Sequence, residues 1–268
     1  MVVFGVTFTS NLRAEPKLKT PVLLATALMC CNWVNVSCAA QTANQTEKTT
    51  AGQQDSASHN SAIYRVGLKS FVVPPPADLV ETGPDYRVLF EHDAPDTNRL
   101  VAAFLPSENI VKLPAGSPEG FPRYAFLETL RQAEFVDVDE TAYKQVAVAV
   151  AKQFGSSPDA PALDLKAFQD EVNHKLKAVG VTSDVSLKDP VMLGTFFSKP
   201  NALGVGMLME VGAGGKTKKV LVGTTFLRAK NRLLYASVFA EYKGDESAAW
   251  VHKVAEQWAD AILKANAE

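Results

Sequence analysis

Four carboxylates fall between positions 134 and 140: Glu134, Asp137, Asp139 and Glu140. Two carboxyl groups can share acid–base work when one is held protonated and its neighbour stays ionised. That reading makes a hydrolase. Spacing alone does not make the four converge, however. Acids just ahead of a helix also accept hydrogen bonds from its first amides and favour its positive end. Capping by Asp137 or Asp139 is the simpler expectation.

Glu91, His92 and Asp93 form a second group with metal-binding chemistry, and Asp96 lies close behind. On a strand, alternate side chains face opposite sides, so Glu91 and Asp93 would point away from His92. A solvated strand end is expected there. His174 and His252 stand far apart, each outside the apolar stripe of its expected helix. Neither has the spaced partner that a metal ligand or general base needs. His59 lies in a polar stretch and is a bystander.

Gly212–Thr217 contains the glycines and Lys216 of a phosphate-binding loop. The full motif needs a glycine where Glu210 stands, and a helix after the lysine. The run that follows is strand-like, so a glycine hairpin turn is expected. Lys216, Lys218 and Lys219 begin that strand, and Arg228, Lys230 and Arg232 follow its end. At about 3.3 Å per residue the two groups sit some 30 Å apart, which makes no single basic patch. Trp250 and Trp258, two helical turns apart, could stack on a sugar; core packing is the commoner use. Pro74–Pro76 reads as a strand terminator before a polyproline recognition segment. No GxSxG elbow occurs. The sequence therefore assigns no catalytic, cofactor-binding or metal-ligating residue.

Composition narrows the classes further. The chain has 268 residues with 27 basic and 29 acidic side chains. It shows no basic stripe, so nucleic acid is not an expected partner. Residues 1–40 hold Arg13, Lys17, Lys19 and Glu15; without them the formal charge is −4. A net negative charge argues against tight attachment to an anionic membrane. Cys30, Cys31 and Cys38 are the only cysteines. From Ala39 onward there is neither a disulfide nor a thiol nucleophile.

The basic residues Arg13–Lys19 precede an apolar run, Pro21–Cys31, and small residues end the segment at Ala39 and Ala40. That order is the layout of a secretory signal. The run is too short for a span of about 20 apolar residues. Cleavage after Ala39 or Ala40 is the leading expectation. Acylation of Cys38, giving a lipid anchor, is the second. An uncleaved anchor or buried helix is the third. Residues 41–62 contain no Val, Ile, Leu, Met, Phe, Tyr or Trp. Such a stretch buries too little to offset its ordering entropy and reads as a disordered linker.

Residues 63–268 read as a single α+β domain. Strands are expected at Ile63–Val73, Tyr86–His92 and Leu100–Leu105. Helices follow at Arg123–Glu134, Glu140–Phe154 and Leu163–Val179, the last with Leu165, Phe168, Val172, Leu176 and Val179 at helical spacing. Strands return at Asp184–Lys188, Val191–Phe197, Gly204–Val211, Lys218–Leu227 and Leu233–Tyr242. A last helix, Glu246–Ala265, starts behind Asp245 as N-cap. Short links favour antiparallel neighbours. Grouped strands and helices give an antiparallel sheet covered by helices on one or both faces. The stretch from Arg232–Tyr235 through a polar turn to Trp250 and the final helix resembles the end of proteins with the PsbP/Mog1 fold. The resemblance covers about 35 residues; it implies an α/β/α sandwich and brings no function with it.

These features add up to an exported protein, periplasmic or extracellular. Its domain is expected to bind a protein or small molecule without catalysis, and a cell-envelope hydrolase using carboxylates or a histidine is the rival.

Overall fold

The computed structural model describes residues 62–83, 90–91, 96–110, 121–154, 169–170, 173–174, 185–213 and 216–267. The elements run β1 (Ala62–Val66), β2 (Lys69–Val73), β3 (Val80–Glu81), β4 (Asn98–Leu105), α1 (Ser107–Ile110), β5 (Arg123–Leu130) and α2 (Glu140–Phe154). They continue with β6 (Val185–Lys199), β7 (Ala202–Ala213), β8 (Lys216–Ala229), β9 (Arg232–Glu241) and α3 (Asp245–Ala265). Strands β3 to β9 form one antiparallel sheet in the order β3-β4-β5-β9-β8-β7-β6, while β1 and β2 pair as a separate hairpin. The fold is α+β, as the sequence pattern implies.

The sheet needs cover on both faces because its middle strands are apolar on both. Tyr124 to Leu130 of β5 and Arg232 to Ala240 of β9 are all buried. On one face lies α2, with Tyr143, Val150 and Phe154 turned inward toward Tyr124, Phe126, Phe226 and Phe239. On the other lies α3, whose Val251, Val254, Ala255, Trp258, Ala259 and Ile262 are buried. The hairpin β1–β2 shares that face and adds Tyr64, Val66, Phe71 and Val73. This is a sandwich of the kind the partial resemblance implies.

Trp258 ties the hairpin to α3. Its ring meets Phe104 edge-on at 5.4 Å, and its indole N–H donates to the Pro74 carbonyl at 2.8 Å. Asn266 adds a clasp, accepting from the Val72 amide and donating to the Val72 carbonyl. Pro74–Pro76 thus ends β2 and turns the chain toward β3. At Gly223 the helix approaches the sheet so closely that an added Cβ would lie against Val251 and Ala255. Gly204 and Gly206 of β7 likewise lie under the rings of Phe197 and Phe196.

Several expectations need correction. Arg123–Glu134 is the strand β5 with a turn after it, not a helix. Its good helix formers are overridden by a central position between β4 and β9, where both faces are buried. Ile63–Val73 is not one strand but two, joined at Gly67 and Leu68, where Gly67 takes φ 57°. Within the expected strand Tyr86–His92, Phe90 and Glu91 are helical, and the rest lies outside the described residues. Asp184–Lys188 and Val191–Phe197 merge into β6. Asp189 and Pro190 fall where the ladder to β7 shifts between Lys188 and Val191, so proline's missing amide interrupts no pair. The N-cap of α3 is Gly244, not Asp245, which begins the helix without a side-chain cap bond. Most of the expected helix Leu163–Val179 lies outside the described residues; Gln169–Asp170 and Asn173–His174 within it are helical. The expected hairpin at Lys230 and Asn231 is present, with φ 45° and 55°, the twist that suits a two-residue turn.

Replacing Trp258 by Phe keeps a ring against Phe104 and leaves the Pro74 carbonyl without its donor. Urea denaturation should show a loss of at least about 1–3 kcal/mol, the unpaired carbonyl and the cavity left by the smaller ring both contributing. An unchanged midpoint would mean that the N–H bond adds nothing.

Candidate functional site

The four acids that open the chemical reading do not converge. Glu134 accepts from Arg99 Nε at 3.0 Å and from the Gly67 amide at 3.1 Å. The Arg99 guanidinium beside it holds its carboxyl below the usual range. Asp137 receives Lys69 Nζ at 3.0 Å and the Arg232 guanidinium. Hydrogen bonds from Lys69 and then Arg232 lower its pKa as well. Asp139 Oδ1 accepts from the Ala142 amide at 2.7 Å, which is the N-cap bond of α2. Glu140 pairs with Lys144 one turn along, and that bond lowers its pKa. Each acid is occupied in local or long-range bracing.

His252 is half-buried on α3. Its Nε2 lies 3.1 Å from the Phe196 carbonyl, and its ring meets Phe196 edge-on at 5.2 Å. That contact fixes the helix to β6. His174 is exposed. His92 and Asp93 lie outside the described residues, and so does His59. Among the described residues no three His, Cys, Asp or Glu side chains are grouped to hold a metal. Gly212 and Ala213 end β7, and Ala213 pairs with Lys216 across a two-residue link at 214 and 215. The segment is therefore a hairpin with a strand after it, as expected. Lys216, Lys218 and Lys219 lie at the start of β8, while Arg228 bonds Asn201 and Asn231 near its end. Trp258 is core. Trp250 carries the Arg123 guanidinium 4.5 Å above its ring, which occupies a stacking face.

One group unforeseen in the sequence is Glu128. It sits at mid-sheet on β5, 1% exposed, directly across from Tyr235 on β9. On the same face of β9, two residues on, Ser237 shares a 3.0 Å hydrogen bond with Thr224 of β8. Tyr143 of α2 donates its hydroxyl to the Phe226 carbonyl at 3.0 Å from above. The result is a short polar seam within the apolar layer under α2. Among the described residues Glu128 Oε2 and Tyr235 Oη, both buried, have no hydrogen-bond partner. Burial pushes the Glu128 carboxyl up to about 8, so it is a neutral acid at pH 7. Burial, with the nearby Glu128 carboxyl, also raises the Tyr235 phenol. A neutral carboxyl can donate a proton, the first requirement of a general acid. Access is the second, and neither side chain reaches solvent.

Glu128 escapes a sequence reading because it lies inside the segment expected to be helical. The available signal is period two: Tyr124, Phe126 and Leu130 alternate with Ala125 and Leu127, and Glu128 then falls on the aromatic face.

Two outcomes follow. Glu128 holds its proton in the folded chain and loses it near its ordinary value of 4.5 when unfolded. The folded state then binds more protons between those two values, so stability should fall as pH rises from about 4.5 to about 8. The slope is on the order of 1.4 kcal/mol per pH unit. Glu128→Gln should flatten that slope in urea titrations, and an identical profile would refute the assignment. Asp139→Ala should cost about 1 kcal/mol in the same measurement. An unchanged midpoint would remove Asp139 as a stabilising cap.

No family model matches the chain, and no curated protein matches it. Solved structures similar to it include a mutant of the protein Mog1, 13% identical over 76% of this chain and 94% of that one, with a TM-score of 0.29. The Ran-binding protein Mog1p of Saccharomyces cerevisiae is 12% identical over 76% of this chain and 90% of its own, with a TM-score of 0.25. At these values the likeness carries no argument about what this chain does.

Proposed function

We propose that this chain is an exported protein, periplasmic or extracellular, whose folded part binds a protein or small-molecule partner without catalysing a reaction. The observation that carries the non-catalytic reading is the use of its acids. Glu134, Asp137, Asp139 and Glu140 are each engaged in an ion pair or a cap, and His252 contacts a backbone carbonyl. Catalytic acids and bases need a partner matched in pKa and open to substrate. These side chains are committed to bracing. The export reading rests on the order of basic, apolar and small residues before Gln41.

Glu128 supports the rival reading of a hydrolase, because a carboxyl held neutral near pH 7 has the protonation state that a general acid needs. Its burial weighs against it unless the layer above opens.

Purification of the protein from its native host, followed by intact-mass measurement, tests the export reading. The expected mass begins at Ala40 or Gln41, or at an acylated Cys38. The full-length chain dissolved in cytosol would overturn the proposal. The same preparation, tested on ester, peptide and glycoside substrates, should show no turnover. Turnover abolished by Glu128→Gln, in a variant that still folds, would replace binding by hydrolysis.

A further inference from the structure

Buried donors and acceptors in folded proteins nearly always find a partner, because an unmade bond there forfeits the hydration of the group. Glu128 is 1% exposed and Tyr235 is fully buried, yet Glu128 Oε2 and Tyr235 Oη have no hydrogen-bond partner among the described residues. They are not bonded to each other either. The two residues stand directly opposite on β5 and β9, which puts their Cβ atoms about 5 Å apart. Burial raises the Tyr235 phenol, and the Glu128 carboxyl adds to that rise, so the two polar ends lie within electrostatic reach.

The neighbours of the pair offer it little. On its other flank Glu128 faces Leu100 of β4, which is apolar and buried. Tyr143 of α2 gives its hydroxyl to the Phe226 carbonyl, and Thr129 gives its own to the Leu233 carbonyl. Ser237 and Thr224 come next on the same face. Their mutual 3.0 Å bond uses one of their two hydroxyl protons.

The chemistry of the pair selects what fits between its ends. A neutral carboxyl offers one O–H and acceptor lone pairs, and a phenol offers one O–H and lone pairs of its own. An apolar group would leave both unmet. A metal ion asks for a group of ligands, and among the described residues no three His, Cys, Asp or Glu side chains are so grouped. The match is a small neutral molecule that donates and accepts at once. A water does both, and it spans two groups that each lie about 2.8 Å from it. Buried waters take about three bonds, and the Ser237–Thr224 pair has a proton and lone pairs left for the third.

We propose that one water molecule is held inside the sheet, bridging the Glu128 carboxyl and the Tyr235 hydroxyl as a fixed part of the fold. The site goes beyond the binding reading given above and stands whether or not the chain is exported. It gives an acid in a central, doubly covered strand a holding role that needs no access from solvent.

Oxygen-17 relaxation dispersion of water, measured on the purified protein, provides the test, because it detects water held much longer than the hydration layer. Wild type should show one more long-lived water than the double variant Glu128→Leu with Tyr235→Phe, from which both polar ends are gone. Equal dispersion from the two proteins overturns the proposal. Circular dichroism matching wild type confirms that the double variant folds. In urea, either single substitution leaves the water short of a partner. The double variant should therefore unfold at least about threefold less readily than the product of the two single effects implies, and effects that simply multiply overturn the bridge. A crystal structure of wild type decides the matter even where a variant fails to fold. It should show a density peak about 2.6–3.2 Å from both Glu128 Oε2 and Tyr235 Oη. No peak, or a direct bond between the two side chains, would overturn the proposal.

Discussion

Strands β5, β8 and β9 must be dry on both faces, and the architecture follows from that requirement. A sheet wet on one side could make do with a single helix. Here α2 seals one face, while α3 and the β1–β2 hairpin share the other. The hairpin is too small to stand alone. It holds because Trp258, Asn266 and the ionic group around Asp137 fasten it at several points. Burial supplies the attraction, and polar bonds set the orientation.

That division of labour explains how the charged residues are spent. Arg232 is nearly buried and reaches Asp137; Arg99 reaches Glu134 across the same gap. Lys199 shows the pattern on the helix side, where burial depresses its pKa but the hydrogen bonds it donates to Asp260 and Glu256 raise it overall. Exposed pairs of this kind add little each. Their value is in placing one element against another, since a misplaced strand would leave Arg232 buried without its partner.

Much of this was legible in the chain. Strands β4 and β7 to β9, helix α2 with its Asp139 cap, and the stripe of α3 all follow local periodicity and turn chemistry. Failures came where tertiary position outranked local preference. The stretch Arg123–Leu130 contains helix formers, yet it is the strand at the heart of the sheet. With that misreading Glu128 disappeared from view, since on a helix it would be one more surface acid. The bracing of Glu134 by Arg99 and Gly67 joins positions far apart in sequence, and no spacing rule reveals it. Such pairings emerge only once the register of β4 on β5 is known.

The outermost strand, β6, has a consequence for solubility. It runs for 15 residues, with Val191 and Leu193 exposed. A long straight border of this type invites other chains to add themselves to the sheet. Here the border is crooked: its pairing slips at three places, Pro190 withholds an amide, and Gly194 turns through φ 81°. Along this edge a stranger strand would find no continuous row of donors and acceptors to copy, and the Leu187 amide is already taken by the Gln169 side chain.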